Sequence, residues 1–144
     1  MTAMTRPRLT SMPLKLGTLP TAPSCAREVS KVQLDSWGLN SLAEDTAVVV
    51  SELLTNAVQA CSDGDSPREV RFRMMVLGSR AIRVEVWDPI PELPELLKDS
   101  QPLDDIGRGL RIVDALTDGH WGSAASPDVG GKVVWAELTP ESGD

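Results

Sequence analysis

The stretch VRFRMMVLGSRAIRVEVWD, residues 70–88, decides the architecture. Val70, Phe72, Met74 and Val76 alternate with Arg71, Arg73 and Met75. After the turn Gly78-Ser79, Ile82, Val84 and Val86 alternate with Arg83 and Glu85. Successive strand side chains point to opposite faces, so this period of two predicts an antiparallel pair with one apolar and one wet face. An apolar sheet face needs a cover. The segment upstream has the period to supply it: Ala47, Val50, Leu54, Ala57 and Cys61 fall on one side of a helix. Ser41-Leu42-Ala43-Glu44 reads as a capping box opening that helix, and the polar turn CSDGDSP closes it.

Further out, residues 23–37 read as another helix, with Pro23 in the first turn and Gly38 just past the end. Residues 13–19 suggest a short edge strand with Leu14 and Leu16 inward. Downstream, residues 88–108 carry four prolines and no long periodic run. A loop of that length in a compact domain is usually functional. A short helix over Gly109 to Leu116, a strand over His120 to Ala124 and a closing strand over Lys132 to Leu138 complete the chain. The expectation is an α+β fold: a two-layer α/β sandwich, mostly antiparallel sheet with helices on one face.

Composition narrows the function classes. The 144 residues and 41% hydrophobic content suit one globular domain. A net charge of -7 and a pI near 4.7 argue against direct binding to nucleic acid or an anionic membrane, which need a basic face. No apolar run reaches the ~18 residues of a membrane helix. A Ser-His-Asp site, or a zinc site built on several histidines, would have to use His120, the single histidine. Cys25 and Cys61 lack metal spacing and read as free thiols. Residues 1–12, without an apolar signal core, read as a disordered lead-in, 13–138 as the domain and 139–144 as a tail, in a cytoplasmic protein.

Four clusters carry chemistry. Glu52 and Asn56 stand one turn apart on the long helix, away from its apolar stripe. A carboxylate and an amide oxygen there could serve a Mg²⁺-nucleotide site, although such a pair also suits a solvated surface. Asp88 ends a strand, where it could accept from an adenine amino group or simply form an Asx turn before Pro89. Gly107-Arg108-Gly109-Leu110 lies directly before a helix, and glycines let backbone N–H groups approach phosphate. Gly130-Gly131-Lys132 reads as a hairpin turn entering a core strand.

In this order the four clusters resemble the GHKL ATPases, the family with the histidine-kinase-like ATP-binding domain. The likeness is to the small stand-alone bacterial anti-sigma-factor serine kinases. SELLTNAVQA is similar to that family's N-box, VEVWDPIP to its first glycine box, DDIGRGLRIV to its second and GGKVVWAEL to its closing strand. The resemblance implies ATP and Mg²⁺ as cofactors, Asn56 as the metal ligand and Glu52 as the catalytic base. It further implies Asp88 as the adenine reader, with Ile90 in a position to stack on the base. Gly107 and Gly109 would close on the phosphates, and Arg108, Leu110 and Lys132 would join the nucleotide site. Pro89 to Ile106 would form the lid. Implied partners are a sigma factor and an anti-sigma-factor antagonist protein, the substrate of a serine/threonine kinase; a homodimer is also implied. The alternative is a non-catalytic module in which nucleotide acts as a conformational switch. One departure stands out: Pro89-Ile90-Pro91 replaces the glycine-rich residues that normally follow the aspartate.

Overall fold

The computed structural model describes residues 7–11, 13–62, 68–78, 80–94 and 105–140. Its strands and helices are β1 (Pro7–Thr10), β2 (Leu14–Gly17), α1 (Ala22–Ser36), α2 (Ala43–Ala60), β3 (Glu69–Leu77), β4 (Ala81–Asp88), α3 (Asp105–Leu116), β5 (Trp121–Ala125) and β6 (Lys132–Leu138). The six strands form one sheet in the order β1-β3-β4-β6-β5, with every pair antiparallel. β2 pairs with the same strand as β1, facing the other half of β3. This is the expected α+β sandwich.

The alternating pattern sets the two faces. Val70, Phe72, Met74, Val76, Ile82, Val84, Val86, Val134, Ala136 and Leu138 are buried, forming one core with Val49, Val50, Leu53, Leu54 and Ala57 of α2. α2 packs against α1, α3 and three strands, which makes it the central beam of the helical layer. On the opposite face Arg73 and Arg83 both bond to Glu85 at 2.8 Å, and Arg83 also reaches Glu137 at 2.8 Å. The Arg71 and Arg83 guanidiniums lie 4.6 Å and 4.4 Å from the centroids of Trp87 and Trp135. Burial pushes the Glu85 carboxyl up, but the hydrogen bonds from Arg83 and Arg73 outweigh it and hold it below the usual glutamate range. This face is wet, as the alternation required.

Three sequence expectations change. Ser41 and Glu44 do not cap α2: the chain enters it through a 3-10 turn at Asn40–Leu42, and Leu42 is the N-cap, without a side-chain bond. Leu42 is buried while Ser41 is exposed, so burying the leucine outweighs a serine cap. Pro7–Thr10, placed in the lead-in, forms an edge strand, because β3 is nine residues long and β2 covers only four of them. Finally, α3 begins at Asp105 rather than Gly109, so Gly107 and Gly109 lie inside the helix. No helix is long and apolar enough to cross a membrane among the described residues.

Candidate functional site

Between α2 and the inner face of β4 and β6 lies a cleft of about 510 Å³, within the range of small-molecule sites. Leu53, Asn56 and Ala57 line it from the helix, and Val86, Asp88, Lys132 and Val134 from the sheet. Ile90, Glu92, Leu93 and Pro94 form a further wall. Most of this lining is apolar, with a few polar groups converging on it. Such a wall favours a flat, largely apolar ring with polar edges.

Asp88 is at an inward register position at the end of β4 and is 1% exposed. Lys132, opposite it at the start of β6, is 4% exposed. The Lys132 ammonium donates to Asp88 Oδ1 at 2.9 Å and to the Ile90 carbonyl at 3.0 Å. The Ile90 N–H donates to the same Oδ1 at 2.9 Å. Burial pushes the Asp88 carboxyl above the usual aspartate range, and the bonds from Lys132 and Ile90 only partly offset it. The two glycines before Lys132 have a local reason. Gly131 sits at φ +74, and a Cβ there would run into the Asp88 carbonyl oxygen and the Pro89 Cα. Trp87 pins the same turn through its Nε1–H to the Gly130 carbonyl at 2.9 Å. Pro89-Ile90-Pro91 is thus held by Lys132 rather than softened by glycine.

The other end of the cleft is built differently. Asn56 is 7% exposed, yet neither its Oδ1 nor its Nδ2 has a hydrogen-bond partner among the described residues. Leaving a buried polar group unpaired costs roughly 1–3 kcal/mol, so such an amide calls for a reason. Glu52, one turn earlier, is half-buried, and burial pushes its carboxyl up. Gly109 of α3 closes over both. A Cβ at Gly109 would meet Glu52 Oε1 at 2.6 Å and stand 3.5 Å from Asn56 Oδ1. The pair expected to face away from the apolar stripe is therefore covered by α3. A side chain at this position would push the Glu52 carboxylate aside, because the two helices approach closely here.

A buried amide oxygen with no partner fits a hard cation or a phosphate-bound cluster. No group of three His, Cys, Asp or Glu side chains able to hold a metal occurs among the described residues. A magnesium ion would therefore rely on Asn56 Oδ1 together with phosphate and water oxygens.

The structure brings Glu52, Asn56 and Gly109 together, and sets Asn56, Asp88, Ile90 and Lys132 along one cleft. Leu110 is fully buried at a packing position, and Arg108 is exposed. Gly107 falls within α3. Of the lid expected over Pro89 to Ile106, residues 95–104 lie outside the described residues, and 105 and 106 already belong to α3. Sequence reasoning missed Gln59, Ala60 and Ser62 as lining residues, whereas Glu92, Leu93 and Pro94 fall in the segment expected as the lid. It also missed the partner of Lys132. The available signal was a lysine in phase with Val134, Ala136 and Leu138, the inward set of β6.

The structure is thus a two-layer sandwich whose interlayer cleft holds an asparagine without a partner among the described residues at one end and a buried aspartate at the other. Residues 15–138 match the histidine kinase-like ATPase domain, and the chain belongs to that family. ATP is accordingly the ligand the domain implies. No curated protein matches the chain.

Proposed function

We propose that the protein is a regulatory Mg²⁺- and ATP-dependent protein kinase of the anti-sigma-factor type, acting on a serine or threonine of an antagonist protein. The observation that carries this reading is the orphaned Asn56 amide beside Glu52, under the glycine face of α3. Magnesium bound with ATP would neutralise charge on the phosphate oxygens, and Asn56 Oδ1 is the atom that would hold it. Asp88 and Ile90 would seat the base in the cleft between α2 and the sheet. Glu52 takes the proton from the substrate hydroxyl as its oxygen bonds to the γ-phosphorus and the bond to ADP breaks, leaving a phosphoester and ADP. Burial raises the Glu52 carboxyl, which makes its ionised form a stronger base than an ordinary glutamate. The action is cytoplasmic, through a sigma factor and its antagonist, with a homodimer as the expected assembly.

A second reading is supported by the Lys132 clamp and by Pro89-Ile90-Pro91. A base end already tied together by the protein suits a module in which ATP switches conformation without phosphoryl transfer. One measurement tests the shared site and a second separates the readings. Calorimetry should show ATP binding that weakens strongly without Mg²⁺ or in Asn56→Ala; equal affinity in all three conditions removes the Asn56 assignment. Labelled ATP supplied with candidate antagonist proteins should give transfer that Glu52→Gln abolishes, whereas binding without transfer selects the switch.

A further inference from the structure

Asp88 and Lys132 meet the cleft as a fixed couple, 44 positions apart in sequence and opposite one another across β4 and β6. An ammonium carries three N–H groups. Lys132 donates to Asp88 Oδ1 at 2.9 Å and to the Ile90 carbonyl at 3.0 Å, which leaves one donor for whatever fills the cleft it lines. Asp88 Oδ1 already receives two donors, the Lys132 ammonium and the Ile90 N–H. Side-chain exposures of 5% for Lys132 and 1% for Asp88 keep water from replacing either partner freely.

This couple offers a ligand a cationic donor beside an anionic acceptor. A purine with an amino group at C6 brings N–H donors, which the carboxylate can accept but the ammonium beside it cannot. A purine with an oxo group at C6 brings an acceptor for the ammonium and an N1–H for the carboxylate. Both of those hydrogen bonds are charge-assisted, the stronger kind. We propose that Lys132 is a specificity-determining residue and that, paired with Asp88, it opens this cleft to 6-oxopurine nucleotides as well as to adenine nucleotides. The inference rests on the nucleotide reading of the cleft given above.

Calorimetric titration of the wild-type protein with ATP, GTP, ITP and CTP, each with Mg²⁺, tests it. ITP has the C6 oxo group and N1–H without the 2-amino group, so it isolates the interaction at issue. GTP and ITP are expected to bind within about tenfold of ATP, with CTP weaker, since its single ring covers less of the apolar lining. Binding of GTP and ITP more than about tenfold weaker than ATP overturns the inference and leaves the ATP site standing. Failure of every nucleotide to bind overturns the site itself, and the inference with it. In Lys132→Met, checked for folding by its melting curve, the preference for ATP over ITP should rise about tenfold or more. An unchanged ratio removes Lys132 from base selection. If that variant does not fold, the wild-type ratios decide the matter alone.

Discussion

The two ends of the cleft solve opposite problems. At the Asp88 end a buried carboxylate is met by a lysine and a backbone N–H, so the protein satisfies its own charge. At the Asn56 end a buried amide has no partner among the described residues for either polar atom, and the neighbouring Glu52 carboxyl is raised by burial. The first end is a structural bond with one ammonium donor to spare; the second has its polar atoms open to ligand. Stability and binding should therefore separate along the cleft. Damage at Asp88 should harm the fold first, and damage at Asn56 should harm only the ligand complex.

The largest expected effect is Lys132→Met. It strands a buried carboxylate, and breaking such a pair costs about 3–5 kcal/mol. Urea unfolding should show the loss, and Lys132→Met with Asp88→Leu should recover most of it. A single variant as stable as wild type would mean the ion pair is not the fastener described above. Next comes Gly131→Ala. It forces a side chain into φ +74 and against the Asp88 carbonyl, for a loss of about 2–3 kcal/mol. Gly109→Ala, by contrast, meets only the flexible end of Glu52, so it should spare stability and displace the Glu52 carboxylate, read as lost phosphoryl transfer.

Asn56→Ala reverses the direction. It removes unpaired polar atoms and a weak helix residue, so the ligand-free melting point should stay level or rise, by up to about 1 kcal/mol of stability. Mg-ATP affinity should fall in the same variant. A large destabilisation would show that Asn56 has a structural partner after all. The smallest effect concerns Glu52. Its folded-state pKa is raised, so its contribution to stability is fully present below the ordinary glutamate value of about 4.3 and is lost as pH rises through the raised value. The Glu52 contribution should decline across that window, so Glu52→Gln should gain on wild type in denaturation curves taken at successively higher pH.

Much of this molecule is local pattern. Alternation through Val70–Val76, broken only by the buried Met75, and through Ile82–Val86 placed β3, β4 and the buried face, because successive strand residues point to opposite sides. Helical spacing from Ala47 to Cys61 placed α2 in the same way. Local signals failed where tertiary contacts compete with them. The serine cap lost to burial of Leu42, and α3 extended back over two glycines because packing on α2 supports helix there.

The sequence alone determined which residues could form a nucleotide site, since residue type, strand phase and helical spacing are written in the chain. Tertiary structure decided how those residues share their hydrogen bonds. Only the register of β4 against β6 set Lys132 on Asp88, and only the approach of α3 to α2 buried Asn56 without a partner. Both outcomes depend on distances between segments far apart in sequence, and those distances are fixed when sheet and helices pack together.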